Sequence, residues 1–215
     1  MISKNPIKIF AFILIGLLAS CQNAQSTMEE DPAIPLSEVT NSESVSEETS
    51  MSGSATAPLP RRSGPETITS GTVPHVQIGV ELIEEINDQL FQLAFSLPGV
   101  ENRPTIVSLP GARGMWLSDD VQIVHPEVIV SGREFAHIHP DGSLHVPLPY
   151  DRALEAAEKG WAERHPWADQ REGWEGLVML FTPQTMAELD VIVQLIIESY
   201  NFVTGVDIQI TDLQY

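Results

Sequence analysis

The sequence lacks the features of several protein classes. It has a single cysteine, so no disulfide bond can form within the chain. It also has few basic residues, 11 Lys and Arg against 30 Asp and Glu, which gives a formal net charge of −19. A protein that binds nucleic acid through a basic surface needs the opposite sign of charge, and we therefore expect no nucleic-acid partner.

Aromatic residues are absent from a long stretch after the single cysteine. No Phe, Trp or Tyr occurs between residues 22 and 72, where Ser, Thr, Pro and Glu dominate. Such a segment buries too little apolar surface to offset its backbone entropy, so residues 21–72 predict a disordered linker. A flexible coil of this length has an end-to-end distance of about 40 Å. Within it, Arg61 and Arg62 are interpreted as two solvated charges.

The first 20 residues have the pattern of an export signal. Lys4 and Lys8 precede an apolar stretch at residues 9–18, which is too short to span a membrane as a helix. The stretch leads into Leu18-Ala19-Ser20-Cys21, which resembles the lipobox of bacterial lipoproteins. The resemblance implies that residues 1–20 are removed and that Cys21 receives diacylglycerol and a further acyl chain such as palmitate. We therefore expect the lipidated Cys21 to attach the protein to a membrane.

The residue after the cysteine and the charge of the mature chain indicate where this membrane is. Gln22, rather than an aspartate, is typical of lipoproteins sorted to the outer membrane of the bacterial cell envelope. Removal of residues 1–20 takes away two lysines and no acidic residue, which leaves a formal charge of −21. Anionic headgroups repel such a chain, so attachment depends on the lipid.

Residues 73–215 predict a folded domain of the α+β class, with a mainly antiparallel sheet and helices packed on one face. Apolar residues at helical spacing predict helices at residues 76–93, 151–159 and 186–200, the last of them capped by Thr182-Pro183. Short apolar or alternating segments predict strands at residues 105–109, 113–117, 128–130, 133–139, 143–148, 177–181 and 206–210.

Two of these strands predict a hairpin that brings histidines together. Pro140-Asp141-Gly142 suits a three-residue loop, which pairs His137 with His145. This register sorts the side chains onto two faces. The predicted apolar face comprises Ala136, Ile138, Leu144 and Val146, and the opposite face comprises Phe135, His137, His139 and His145.

Three interpretations of the histidine face remain open. His137, His139 and His145 could bind a divalent metal ion, although no carboxylate or thiolate is evidently aimed at them, and we expect no cofactor. Alternatively, the imidazoles form an acid/base pocket, or they are hydrogen-bonded polar residues without a function. His165 joins the cluster if the loop at residues 160–166 folds over the same face. His75 and His125 flank prolines in connecting segments and are not assigned to it.

The residues around these histidines resemble a known family. The runs REFAHIH at residues 133–139, SLH at 143–145, KGWAERHP at 159–166 and LFTP at 180–183 are similar to those of the fungal luciferases and their bacterial relatives. The similarity extends over roughly residues 100–205. It identifies residues 73–215 as a luciferase-like domain.

The resemblance implies an oxygen-dependent reaction. Fungal luciferases oxidise the hydroxylated pyrone 3-hydroxyhispidin with dioxygen, and no metal is clearly required. By this resemblance a histidine deprotonates an enol, and Arg133 or Arg164 stabilises the negative charge. The candidate catalytic residues are His137, His139, His145, His165, Arg133, Glu134 and Arg164. Light emission is not expected, because a lipobox and linker stand where the fungal enzymes carry a membrane helix and a bacterium is not expected to make hispidin.

The sequence thus predicts a lipid-anchored envelope protein that binds a small enolic or phenolic compound at a histidine-lined pocket. If the protein is an enzyme, it would oxidise this compound. Two alternatives remain. One is a non-catalytic protein that binds a ligand or a divalent metal, and the other is a structural envelope lipoprotein.

Overall fold

The fold is known from a computed structural model that describes residues 57–213. The predicted signal peptide, Cys21 and the linker up to residue 56 lie outside the described residues. Within residues 57–213, the helices are all too short or too polar to cross a bilayer.

The domain is an antiparallel sheet of six strands in the order β1-β2-β3-β4-β6-β5, accompanied by three helices. The strands are β1 (Val100–Pro104), β2 (Arg113–Leu117), β3 (Glu134–Ile138), β4 (Leu144–Pro147), β5 (Ala162–Arg164) and β6 (Leu177–Leu180). The helices are α1 (Glu84–Ala94), α2 (Tyr150–Glu158) and α3 (Met186–Thr204), and short 3-10 helices occur at Pro126–Val128 and Ile210–Asp212. The prediction of an α+β fold with a mainly antiparallel sheet is confirmed.

Helix α3 covers the apolar face of the sheet. Its buried residues include Leu189, Ile192 and Ile196, which belong to the same hydrophobic core as Ile138 and Leu144 of the hairpin. The helix is the longest in the domain because its apolar residues repeat at helical spacing without an internal glycine or proline. The β3–β4 hairpin is thus held on one face by α3, and its other face remains for the histidines.

The ends of α3 are set by local signals. At its start, the Thr185 hydroxyl accepts a hydrogen bond from the backbone N–H of Glu188 at 3.1 Å, so the cap lies after the predicted Thr182-Pro183. At its end, Gly205 adopts φ +75°, a left-handed conformation that glycine accommodates without strain.

The β3–β4 hairpin has the predicted register. His137 pairs with His145 and Ile138 with Leu144, and the backbone N–H of His139 donates to Ser143 O at 2.8 Å. The loop is three residues long, and Gly142 adopts φ +82°. The Asp141 carboxylate accepts the backbone N–H of Ser143 at 3.0 Å, which holds the turn in place.

A β-bulge in β3 changes the predicted faces. Met115 pairs with Ala136 but Trp116 pairs with Glu134, so Phe135 is an extra residue in β3. The bulge moves Phe135 to the helix side, where its ring lies 6.1 Å from that of Tyr200. The prediction that Phe135 shares the histidine face is therefore wrong, and Glu134 takes its place there.

Several other segments differ from the prediction. Helix α1 begins at Glu84 rather than at residue 76, because Gln77 instead forms a bridge with Thr69. The first strand, β1, precedes the predicted strand at 105–109, which is a loop, and β5 was not predicted. The segments at 128–130 and 206–210 form no strand, and each adjoins a 3-10 helix.

Residues 57–72, which the sequence assigns to the linker, pack against the domain. Leu59 is buried in the hydrophobic core, and the indole N–H of Trp161 donates to Pro60 O at 2.6 Å. Arg62 lies between the rings of Trp161 and Phe181 and pairs with Glu188 at 2.8 Å. The domain therefore begins before residue 73, and Arg62 is not a solvated charge. Aromatic content and periodicity could not reveal this, because the segment is held by one buried leucine, one paired arginine and backbone hydrogen bonds such as that of Arg62 N–H to Lys159 O.

This packing predicts that substitutions at two apolar positions of the same segment change the free energy of unfolding by different amounts. Leu59 is 4% exposed and Ile68 is 65% exposed. We expect Leu59→Ala to lower the free energy of unfolding by about 2–3 kcal/mol, since it leaves a cavity in the core. Ile68→Ala should change it by less than about 0.5 kcal/mol. Urea denaturation of both variants measures the two values, and equal effects would contradict the packing of this segment.

Candidate functional site

Five imidazoles converge on the face of the sheet opposite α3. His137, His139 and His145 come from the β3–β4 hairpin, His75 comes from the segment before α1, and His165 directly follows β5. All five are buried. His145 lies at the centre, with its ring centroid 4.7 Å from those of His139 and His165, 5.0 Å from that of His137 and 5.3 Å from that of His75.

The cluster contains the four histidines predicted for it and one that was not. His137, His139, His145 and His165 meet as expected. His75 was assigned to a connecting segment, but it is 3% exposed and its Nδ1 lies 3.2 Å from His145 Nε2. The sequence around it gave no signal, because the apolar residues Val76 and Ile78 of this extended segment are the more exposed ones, whereas His75 and Gln77 are buried. His125 lies outside the cluster and is partly exposed, beside Glu127.

A carboxylate stands behind His137, contrary to the expectation from the sequence. Because the bulge at Phe135 reverses the alternation, Glu134 Oε1 lies 3.4 Å from His137 Nδ1. The same carboxylate accepts hydrogen bonds from Thr105 Oγ1 at 2.6 Å and from the backbone N–H of Ile106 at 2.9 Å. Thr105 and Ile106 therefore hold the Glu134 carboxylate within ion-pair distance of the His137 ring.

Gly114 leaves the space that this carboxylate occupies. Gly114 pairs with His137 across the β2–β3 ladder. A Cβ atom at this position would lie 2.6 Å from Trp116 Nε1 and 2.9 Å from the carboxyl carbon of Glu134. Any other residue would therefore displace the indole or the carboxylate.

Two more carboxylates contact the outer side of the cluster. His139 Nδ1 lies 3.0 Å from Ser143 Oγ, which lies 2.7 Å from Asp141 Oδ1. Because the serine hydroxyl donates to the carboxylate, its oxygen accepts the proton of His139 Nδ1. On the other side of the cluster, His75 Nε2 lies 3.5 Å from Glu163 Oε2.

The environment of four of the rings keeps them neutral. Burial, reinforced by neighbouring imidazoles, lowers the pKa of His139 to about 4 and that of His165 to about 4. The same causes lower the pKa of His145 well below its usual value. Burial also lowers the pKa of His75, although Glu163 partly opposes the shift. These four imidazoles are therefore uncharged at neutral pH.

The carboxylate of Glu134 remains ionised. Burial alone would raise its pKa, but the hydrogen bonds from His137, Thr105 and Ile106 outweigh burial and lower the pKa below its usual value. The site thus combines neutral imidazoles with a buried negative charge.

The two arginines implied by the resemblance lie away from the imidazoles. Arg133 donates to the backbone oxygens of Leu117 and Ser118 and so holds the turn after β2. Arg164 pairs with Asp169. Neither lines the cavity in front of the histidines, so the structure does not bring them to a charge developing there. Of the seven candidate residues, the structure groups the four histidines and Glu134.

A cavity of about 270 Å³ opens in front of the rings. All five imidazoles line one part of it, and the rest of its wall is mostly apolar. The other wall residues include Val73, Val107, Leu109, Val130, Trp167 and Leu177. Such a cavity combines an apolar interior with a few convergent polar groups, as small-molecule sites do.

The histidines fall largely within a segment that matches a known family. Residues 132–199 match the sequence model of the family described as Luciferase domain. The match covers about a third of the chain and supports a luciferase-like domain family for this segment. No curated protein and no solved structure matches the chain.

The family match covers the hairpin and His165 but not all parts of the site. His75 lies more than 50 residues before the start of the match. The loop that carries Val107 also lies before the match, at a shorter distance. The luciferase-like segment therefore forms its cavity together with residues outside the matched region.

The neutral histidines predict a loss of stability in acid. In the unfolded chain a histidine takes up a proton below its usual pKa of 6.5, whereas folded His139 and His165 do so only near pH 4. The free energy of unfolding should therefore be unaffected above pH 6.5 and should fall between pH 6.5 and 4, by on the order of 3 kcal/mol for each ring.

Denaturation of the chelator-treated protein at several pH values measures this loss. The pH dependence should become less steep in His139→Gln. Ile68→Ala should leave it unchanged, because Ile68 is exposed and the substitution removes no titratable group. A free energy of unfolding that stays constant between pH 6.5 and 4 would show that the rings are charged in the folded protein.

Proposed function

We propose that this chain is a lipid-anchored protein of a bacterial cell envelope, whose luciferase-like domain binds a small enolic or phenolic compound in the imidazole-lined cavity. The observation that carries the proposal is the joint lining of one cavity by five buried imidazoles and a mostly apolar wall. An aromatic or pyrone ring suits the apolar wall, and its hydroxyl can exchange hydrogen bonds with ring nitrogens.

The dimensions and charge of the cavity support this class of ligand. Its volume of about 270 Å³ is at the lower end for small-molecule sites, which suits a compound of one or two rings. Among the described residues that line it, none is a lysine or arginine. A phosphorylated or polycarboxylated ligand would lack a cationic partner there, whereas a hydroxyl group needs none.

The position of Trp167 makes binding measurable. Its ring is 5.4 Å from that of His165, and the residue lines the cavity while being 40% exposed. A ring compound in the cavity would change the environment of this indole. The intrinsic fluorescence of the protein should therefore respond to binding.

A panel of phenols and hydroxypyrones tests the proposal by fluorescence titration, with calorimetry as confirmation. At least one compound should bind with saturation. Val107→Trp should abolish binding, because a larger side chain at this wall position fills the cavity. Val206→Trp is the matched control, since Val206 is 43% exposed and does not line the cavity.

Two results would contradict the proposal. If no compound binds the wild-type protein, the ligand class is wrong. If Val107→Trp binds as tightly as wild type, the cavity is not the binding site.

An oxygen electrode then separates an enzyme from a binding protein. Oxidation by dioxygen is the reaction that the resemblance to fungal luciferases implies. Consumption of oxygen that depends on a bound compound and stops in Val107→Trp supports the enzyme. Binding without oxygen consumption supports the non-catalytic alternative.

The lipid anchor is supported by the sequence around Cys21 alone. We expect the wild-type chain to incorporate a palmitate label in a bacterial host and to sediment with membranes, and Cys21→Ser to do neither. Ser20→Gly is the matched control, because it retains both the cysteine and a small residue before it. Membrane sedimentation of Cys21→Ser to the same extent as wild type would contradict lipid anchoring.

A further inference from the structure

We propose that His137, His139 and His145 bind one divalent transition-metal ion, with a fourth coordination position open to the cavity. This inference goes beyond the proposed function and does not depend on the identity of any small molecule. It is based on the distances between ring nitrogens and on the hydrogen-bond partner of each nitrogen that faces away from the cluster.

The three rings present nitrogens at distances suitable for one ion. His137 Nε2 and His145 Nδ1 lie 2.9 Å apart, and the candidate donor atoms of the three rings all lie within 4.8 Å of one another. Bonds of 2.0–2.1 Å to a tetrahedral zinc ion separate its ligand atoms by about 3.3 Å. Side-chain rotations that change these distances by about an ångström are therefore sufficient.

The outer nitrogens of two rings already have acceptors. His137 Nδ1 faces the carboxylate of Glu134 at 3.4 Å, and His139 Nδ1 donates to Ser143 Oγ, whose hydroxyl donates to Asp141. With a proton on each Nδ1, both Nε2 atoms carry a lone pair for the ion. His137 Nε2 and His145 Nδ1 form a hydrogen bond of 2.9 Å, so metal binding requires the proton of this bond to move to the outer nitrogen of its ring. Metal-binding histidines almost always donate their second N–H to a carboxylate or a similar acceptor.

The outer nitrogen of the third ring, His145, also has an acceptor, which is the ring of His75. If His145 binds the ion through Nδ1, its Nε2 carries the proton and faces His75 Nδ1 at 3.2 Å. The His75 proton then lies on Nε2, which is buried 3.5 Å from Glu163 and has no other partner among the described residues. In this arrangement each of the three proposed ligands directs its N–H away from the ion.

The second triad of histidines, His75, His145 and His165, fails this test. His165 Nδ1 accepts the backbone N–H of Trp167 at 3.1 Å. Neutral His165 therefore carries its proton on Nε2, which leaves neither nitrogen free to bind a metal ion. This hydrogen bond distinguishes the two triads, although the donor atoms of both lie within 4.8 Å of one another.

The buried carboxylate behind the cluster favours a cation. The side chain of Glu134 is fully buried, and within the part of the chain that the structure describes it forms no ion pair with a lysine or arginine. Hydrogen bonds from Thr105 and Ile106 stabilise its negative charge, and a positive charge in front of His137 would add a favourable electrostatic attraction. An ion coordinated by His137 would supply that charge.

The ligand set indicates the kind of ion and its function. Imidazole nitrogens suit zinc, copper, iron and nickel rather than calcium or magnesium. Three protein ligands with an open fourth position are typical of catalytic rather than structural zinc sites. The open position would accept water or the hydroxyl oxygen of a compound in the cavity.

Metal titration of the full chain, purified without a histidine tag and treated with a chelator, tests the proposal. We expect one zinc ion to bind per chain by calorimetry, and cobalt to give the intense visible bands of a tetrahedral site. X-ray absorption of the zinc-loaded wild-type protein should count three imidazole ligands. That measurement needs no variant and so does not depend on whether a variant folds.

Single variants then separate the two triads. His139→Ala should weaken zinc binding by more than the roughly 10-fold to 100-fold loss expected for the outer-shell variant Glu134→Gln. His165→Ala should leave the zinc affinity unchanged, because His165 is not a ligand in the proposed site. His125→Ala is the matched control for removal of a histidine outside the cluster.

Three results would overturn the proposal. One is the absence of stoichiometric zinc binding by the wild-type protein. The others are an equal loss of affinity in His165→Ala and His139→Ala, and an absorption spectrum with fewer than three imidazoles.

Discussion

The pairing of His137 with His145 across the β3–β4 hairpin is the constraint on which the site depends. The three-residue loop determines this register, and a shift by one residue would turn the imidazoles toward α3. Burial of Ile138 and Leu144 in the core beneath α3 opposes such a shift, because it would expose them. Packing on one face of the hairpin thus positions the chemistry on the other.

The bulge at Phe135 adds a second feature to this hairpin. Regular alternation would place Glu134 on the apolar face with Ala136 and Ile138. The extra residue instead moves the carboxylate to the histidine face and gives Phe135 to the core, where it packs against Tyr200. Gly114 on the neighbouring strand provides the required space. One local irregularity therefore supplies both a core aromatic and the buried charge behind His137.

The segment that matches the family supplies only part of the cavity wall. The luciferase-like segment supplies four imidazoles, but His75 and the loop bearing Val107 come from earlier in the chain. The domain further extends to residues before 73, where Leu59 and Arg62 are held by the core and by Glu188. The cavity of this chain thus depends on segments outside the matched region.

The sequence by itself determined the fold class, the hairpin register and the grouping of four histidines. The register and the grouping of His137, His139 and His145 follow from local rules, because strand alternation and turn length depend only on neighbouring residues, whereas His165 joined them on the expectation that the loop at residues 160–166 folds over the same face. Only the tertiary structure decided three further features. These are the position of His75, the change of side-chain faces at the Phe135 bulge, and the location of Arg133 and Arg164 away from the cavity. Each of these depends on contacts between residues distant in sequence, such as His75 with His145 or Met115 with Ala136, which no local pattern records.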